Sequence, residues 1–300
     1  MRIGMVGLGR MGANMTLRLT RDHHEVVGFD RNPDVTAAAA AADGVMAADS
    51  LDDLVARLTP PRVVWVMVPA GAPTGETLEE LRRLLDSGDT IVDGGNSRYS
   101  DSIARAQEAS TYGLTLLDVG TSGGTHGLSE GYCLMVGGDR RAFERVEPVF
   151  ASLAAAGGYA HVGPSGAGHF TKMVHNGIEY ALMQAYGEGF ELLDDSDLEL
   201  DTAQIAELWR NGSVIRSWLL DLVASALARD HRLEDVAPWI EDSGEGRWTL
   251  RYAIDRAVPV PTIATALFAR FASRQDVSFA GKLIAALRKE FGGHATRKPS

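Results

Sequence analysis

The sequence predicts an α/β N-terminal domain built on a doubly wound parallel sheet, followed by an all-α C-terminal domain. Three observations carry that expectation. Up to about residue 161, short segments rich in Val, Ile and Leu alternate with helical stretches. The first of these segments runs into the pattern Gly7-x-Gly9-x-x-Gly12, which opens a helical stretch. From Ser165 to Phe291 the strand-like alternation stops and long helical patterns take over. Alternating strands and helices cover a parallel sheet on both faces, whereas a run of helices packs on itself.

In chain order the strand-like segments are RIGMVG (2–7), EVVGFD (25–30), RVVWVMV (62–68), TIVD (90–93), LTLLDVG (114–120) and YCLMVGG (132–138). Helical stretches lie between them at 10–21, along the alanine run after Pro33, and at 51–58, 74–86, 100–112 and 139–153. In the second half the clearest helices are 166–194, 202–210, 213–229 and 278–291. The boundary falls near Pro164, giving domains of 1–164 and 165–300, and residues 295–300 read as a polar tail.

Composition narrows the function. A chain of 300 residues with 45% hydrophobic and 23% charged residues can bury a real core. Its net charge of -11 argues against nucleic acid or an anionic membrane as partner, because both need a basic footprint. A small anion needs only a few local cations and stays compatible. Cys133 is the only cysteine, so no intrachain disulfide forms, which suits a reducing cytoplasm. Its apolar neighbours predict a buried strand and a structural thiol. No signal peptide or membrane span is visible, and the expected location is cytoplasmic. No His/Asp/Glu grouping has ligand spacing, so no metal is expected, and adjacent His23 and His24 are expected in solvent on a turn.

The glycine pattern gains specificity from its setting: it follows a strand, opens a helix and starts a βαβ unit, the Rossmann-type arrangement. Gly7 permits the tight turn, Gly9 lets the backbone approach a pyrophosphate, and Gly12 lets helix and strand pack closely. The intervening Leu8, Arg10 and Met11, with Val68 at the end of its strand and Asn96 in a later loop, join the expected cofactor-binding set. Free N–H groups at the helix start suit phosphate. Asp30 closes the second strand about 20 residues on, where a carboxylate binds ribose hydroxyls and repels a 2′-phosphate. NAD is therefore the expected cofactor. NADP is the alternative, because adjacent Arg31 offers a cradle for that phosphate or a plane for the adenine.

Two polar loops, DGGNS (93–97) and GTSGGTHG (120–127), follow strands at the edge where open α/β sheets bind ligands. Glycine also serves any awkward turn, but two such loops at one edge favour ligand contact. Their amide N–H groups, with Asn96 and Ser122, would hold a carboxylate. Beyond them, KMVHNGIEYALMQ (172–184) sets Lys172, His175, Asn176, Glu179 and Tyr180 at i, i+3, i+4, i+7 and i+8, a single helical stripe. Met173, Val174, Ile178 and Leu182 fall mostly opposite. A polar stripe is ordinarily a solvated face. The alternative is a pocket wall that aims a base, an acid and hydrogen-bonding groups at one ligand.

These residues resemble the decarboxylating 6-phosphogluconate dehydrogenases, within the wider β-hydroxyacid dehydrogenase group. The likeness runs along nearly the whole chain, through GLGRMGANM, GGNSRYSD, SGG, GAGHFTKMVHNGIEYALMQ, GRWT, LFAR and RKEFGGH. The length resembles the short bacterial form. The resemblance implies oxidative decarboxylation of 6-phosphogluconate to ribulose 5-phosphate and carbon dioxide, with reduction of NAD(P), in the pentose phosphate pathway. It implies Lys172 as the base at the C3 hydroxyl and then the acid at the developing oxyanion, and Glu179 as the acid that protonates C1 of the enediol. A lysine base must be neutral, which desolvation or a nearby cation favours, and a poorly solvated carboxyl stays protonated.

By the same resemblance, Asn176 and His175 are similar to the substrate-binding pair, Ser122, Gly123 and Gly124 to the carboxylate-side loop, and Tyr180 to the phosphate-contacting tyrosine. Arg270 matches a phosphate-binding arginine. Arg288 and His294 match a pair that reaches in from a neighbouring subunit, and arginine forks suit phosphate oxygens. The chain also departs from the long enzymes. Ser243 stands near their phosphate-binding lysine, Thr125 and His126 replace a pair of acids after SGG, and Asp30 stands where NADP-using forms carry Asn.

Two rivals remain. A dehydrogenase for 3-hydroxyisobutyrate or another short acid would share the glycines, the SGG loop and the lysine. It would not need Glu179, Tyr180, Arg270 or the Arg288–His294 pair. A nucleotide-binding regulatory protein with a dead site would not need Lys172 and Glu179. The expected partners are a phosphorylated sugar acid and further copies of the chain, as homodimer or homotetramer. Neither nucleic acid nor membrane is expected.

Overall fold

A computed structural model describes residues 1–297, so the last three residues of the expected tail lie outside the described residues. The chain divides into two compact units, Met1–Asn176 and one beginning at Gly177.

The first unit holds strands β1 (Arg2–Val6), β2 (Glu25–Phe29), β3 (Met46–Ala47), β4 (Val63–Val66), β5 (Thr90–Asp93), β6 (Thr115–Ser122), β7 (Tyr132–Gly137) and β8 (Ala154–Gly163). Its helices are α1 (Arg10–Arg21), α2 (Pro33–Asp43), α3 (Leu51–Ala56), α4 (Ala72–Leu84), α5 (Tyr99–Ser110), the short α6 (Gly127–Glu130) and α7 (Arg140–Leu153). The strands form one eight-stranded sheet in the order β3-β2-β1-β4-β5-β6-β7-β8. Every pairing is parallel except β6 with β7. The order reverses direction between β1 and β4, and the crevice at such a switch point is where open sheets take their ligands.

Successive strand residues enter two different cores, which is what a sheet covered on both faces requires. Ile3, Met5, Val63, Trp65, Leu117 and Val119 pack into one apolar cluster with Met15 and Leu19 of α1 and Phe143 and Val146 of α7. Their neighbours Val6, Val64, Val66 and Leu116 pack into another with Leu54 of α3 and Leu78 and Leu81 of α4. Helix starts follow side-chain caps. Asn32, Ser50 and Asp139 each accept a hydrogen bond from a first-turn amide of α2, α3 and α7.

β8 escapes the sequence pattern. Its residues, AAAGGYAHVG, are mostly small and show no apolar alternation; it pairs with β7, Leu134 opposite Tyr159 and Val136 opposite His161. Two single-residue expectations are corrected. Cys133 does lie in β7, but its side chain points to the exposed face, opposite Ser122 in the register. His24 is buried, 9% exposed, because its ring is taken up by the Met1 amine and the Ser152 hydroxyl. His23 is exposed on the turn, as expected.

Helix α8 (Ala167–Asp194) runs from the first unit into the second. The second unit continues with α9 (Thr202–Trp209), α10 (Trp218–Arg229), α11 (Glu245–Asp255), α12 (Pro261–Ala272) and α13 (Phe279–Gly292), and among its described residues no strand occurs. α10 begins at Trp218 rather than at 213, because the Ser217 hydroxyl accepts from the Leu220 amide and fixes the start there. Among the described residues no helix is long and apolar enough to cross a membrane.

Candidate functional site

The glycine turn is built for close approach. Gly7 has φ of 90°, and a Cβ there would lie 2.5 Å from the Met67 carbonyl oxygen, a conformation and a gap that only glycine tolerates. A Cβ on Gly12 would come within 1.9 Å of the Gly7 carbonyl oxygen, so α1 seats directly on the turn. Above Gly9, by contrast, there is nothing within 4 Å, and the space a phosphate needs is open. No side chain caps the start of α1. Asp30 faces this turn: one carboxylate oxygen accepts from the Leu8 amide at 2.8 Å and the other from the Asn32 amide at 2.9 Å. The residues therefore fit a dinucleotide. Arg31 is turned onto Glu76 of α4, 3.1 Å away, with both side chains mostly exposed. Val68 lies two residues past β4, half-buried beside Gly7.

The loop after β5 is braced from within. Buried Asp93 accepts from the Gly95 amide at 3.3 Å and from the Ser97 hydroxyl at 2.9 Å. Arg105 of α5 reaches Asp93 at 3.4 Å, Ser97 at 3.1 Å and the Gly71 carbonyl at 3.3 Å. Asn96 stands exposed at the tip.

The start of α8 is welded to β6. Asp118, fully buried, accepts from the Gly166 amide at 2.6 Å and the His169 amide at 2.9 Å, serving as a cap supplied from another element. A Cβ on Gly168 would meet the Asp118 carbonyl oxygen at 2.2 Å, and one on Gly120 would meet the Lys172 Cβ at 2.4 Å. These two glycines let the helix lie against the strand, and Lys172 is thereby set beside the end of β6. Ser122 then lies 3.3 Å from His175 Nε2, and His175 Nδ1 lies 3.0 Å from Asn176 Oδ1. With Nδ1–H donating to the amide oxygen, Nε2 is left to accept from the Ser122 hydroxyl. Gly123 and Gly124 follow with φ of 121° and 51°, the left-handed region that suits glycine.

The stripe on α8 is inside out relative to a surface helix. Lys172 is 9% exposed, Asn176 8% and Tyr180 5%, whereas Ile178 is 51% and Leu182 44% exposed. Apolar Met173 is protected with them, at 2% exposure. Glu179 is half-buried two turns after Lys172.

In the second unit, Tyr180 is the centre of a cationic group. Its hydroxyl meets Ser243 Oγ at 3.1 Å and accepts from the Ser243 amide at 3.2 Å. The Arg270 guanidinium lies 3.5 Å over its ring, and Nη1 donates to the Glu241 carbonyl at 2.8 Å. Arg270 is buried, at 9% exposure. Beside them Asp242 accepts a bidentate pair from Arg247 at 2.8 and 3.0 Å, and Arg274 adds a third bond at 2.8 Å. The bonds from Arg247, with those from Arg274, outweigh burial and lower the Asp242 carboxyl to a pKa of about 2. Arg288 and His294 are exposed, on α13 and just beyond it. Among the described residues no group of three or more His, Cys, Asp or Glu is placed to hold a metal.

Sequence reasoning missed His169, Asp118, Asp242, Arg274 and Glu76. His169 lies within GAGHFTKMVHNG, but nothing in that segment marks its role. Each of the five meets a partner at least 32 residues away in sequence, which only the fold brings near.

Residues 2–163 match the family profile described as the NAD binding domain of 6-phosphogluconate dehydrogenase, and residues 168–290 the profile of that enzyme's C-terminal domain. The Bacillus subtilis protein YqeC, named provisionally as a 6-phosphogluconate dehydrogenase, is 45% identical over 99% of this chain and all of its own length. The NAD(+)-dependent, decarboxylating 6-phosphogluconate dehydrogenase of Haloferax volcanii is 47% identical over 98% of both chains. Among solved structures, Plasmodium falciparum 6-phosphogluconate dehydrogenase superposes with a TM-score of 0.85 at 28% identity, over 97% of this chain and 65% of its own. Mycobacterium tuberculosis 3-hydroxyisobutyrate dehydrogenase gives a TM-score of 0.75 at 25% identity, over 96% and 99%.

Proposed function

Because this chain belongs to the 6-phosphogluconate dehydrogenase family, we propose that it is the decarboxylating enzyme itself, converting 6-phosphogluconate to ribulose 5-phosphate and carbon dioxide with NAD. One observation carries the reading: Lys172, Asn176 and Tyr180 are buried at successive turns of α8, while Ile178 and Leu182 face outward. Lys172 stands with the Ser122–His175–Asn176 chain beside the end of β6, an arrangement that supports a polar ligand there.

Gly7, Leu8, Gly9, Arg10, Met11 and Gly12, with Asp30, Val68 and Asn96, would hold the nucleotide. When bound, it supplies the hydride acceptor. Lys172 takes the proton from the C3 hydroxyl as that carbon is oxidised. The β-keto acid then loses carbon dioxide, its electrons flowing toward the C3 oxygen, and the Lys172 ammonium returns the proton there. Glu179 protonates C1 of the enediol. Ser122, Gly123, Gly124, His175 and Asn176 orient the carboxylate end. Tyr180 and Arg270, with Arg288 and His294 from a neighbouring copy, receive the phosphate.

Asp30 supports NAD over NADP, because a second negative charge at the ribose repels a 2′-phosphate, and Glu76 keeps Arg31 engaged elsewhere. The 3-hydroxyisobutyrate-type reading draws on the M. tuberculosis neighbour, yet leaves the buried Tyr180–Arg270 pair without a purpose. A substrate panel separates them. Specificity constants for 6-phosphogluconate, gluconate and 3-hydroxyisobutyrate should differ by several orders of magnitude in favour of the first. A preference for either unphosphorylated acid would sink the proposal.

A further inference from the structure

His169 joins β6, α5 and the 93–97 loop through its backbone amide and both ring nitrogens. Its backbone amide donates to Asp118 Oδ2 at 2.9 Å, its Nδ1 lies 2.7 Å from the Ser102 hydroxyl on α5, and its Nε2 lies 2.9 Å from the Gly95 carbonyl oxygen. The residue is 2% exposed and Ser102 is fully buried. A carbonyl oxygen only accepts, so Nε2 must carry a proton. In the neutral ring Nδ1 then accepts from the Ser102 hydroxyl, which fixes both tautomer and ring orientation.

Gly95 precedes Asn96 at the loop tip, and His169 precedes Lys172 by one helical turn. The imidazole is therefore a strut of defined length between the 93–97 loop and the helix that carries the lysine. Asp93 and Arg105 brace that loop internally, but neither ties it to α8. We propose that His169 is a positioning residue, whose Nε2–H holds the Asn96 loop at its working distance from Lys172. The proposal rests on the roles given above to Asn96 and Lys172.

The donor position makes it testable. A glutamine amide reaches about as far as imidazole Nε2, whereas an asparagine amide reaches only the Nδ1 position. His169→Gln should keep kcat within about threefold of wild type. His169→Asn and His169→Leu should lower kcat by about 10- to 100-fold, the cost of small misplacements of reacting groups, while NAD affinity changes less than about twofold. Equal losses in all three variants, as simple packing would give, or no loss in any, would overturn the assignment. Amide hydrogen exchange at 94–97 in the free protein gives a readout that needs no substrate: faster in His169→Leu, unchanged in His169→Gln. If wild type fails to turn over 6-phosphogluconate, the proposed function falls, and the exchange result still decides the strut. Should the histidine variants not fold, Ser102→Ala, which removes the group orienting the ring, should quicken exchange at 94–97. Unchanged exchange there would overturn it.

Discussion

Lys172 and Asp242 are both titratable side chains withdrawn from water, and they answer to different tests. Lys172, 9% exposed beside Gly120, is assigned a proton-transfer role. Lys172→Met should retain NAD binding and lose about 10²- to 10⁴-fold or more in kcat, the range for removing one acid–base group. A near-normal rate would remove the lysine from the mechanism. Asp242 is assigned a structural one. Its carboxyl titrates at about 2 in the folded chain against 3.8 ordinarily, so its contribution is fully present above 3.8 and is lost as pH falls through about 2. That shift corresponds to about 2 kcal/mol. Asp242→Asn should lose roughly that much at pH 7 by urea denaturation, and the gap should shrink by about half near pH 3. At the cofactor end, Asp30→Asn should raise the NADP to NAD ratio of specificity constants by about tenfold, equivalent to about 1.4 kcal/mol of relieved repulsion. An unchanged ratio would place the discrimination elsewhere.

At the scale of elements, most of the first unit was legible because its strands carry their own signals. Val-, Ile- and Leu-rich segments bounded by turns recur from Arg2 to Gly137, and Gly7, Gly9 and Gly12 mark where the first turns into a helix. β8 was illegible for the opposite reason: Ala154–Gly163 is mostly alanine and glycine, and its larger residues, Tyr159 and His161, meet Phe143 only in the fold. Helix α8 was legible as a helix, and its stripe as a stripe, but not which side faces inward. Periodicity reports that two faces differ. Burial depends on what packs against them, and here residues 118, 120 and 168 decide it through contacts distant in sequence. The same limit hid His169, which looks like any polar residue in a first turn until Gly95 and Ser102 are placed beside it.

For the whole molecule, the second unit leaves apolar surface on α13. Phe279 is 76% exposed, Leu283 49%, Ile284 58% and Leu287 53%, spaced to share one helix face. A patch of that kind marks an association surface, and Arg288 and His294 sit at its end. The expected assembly is a homodimer or a higher homo-oligomer. If Arg288 completes a neighbour's site, Leu283→Asp with Leu287→Asp should yield monomers by sedimentation and raise the KM for 6-phosphogluconate by at least about tenfold. Monomers with an unchanged KM would separate the tail from the site.

In the proposed reaction, oxidation and decarboxylation occur together, on one substrate, with NAD. The most direct test follows nicotinamide reduction and carbon dioxide release in the same progress curve, with 6-phosphogluconate and either NAD or NADP. The account predicts equal amounts of both products and the faster curve with NAD. Reduction without carbon dioxide, or a faster curve with NADP, would contradict it.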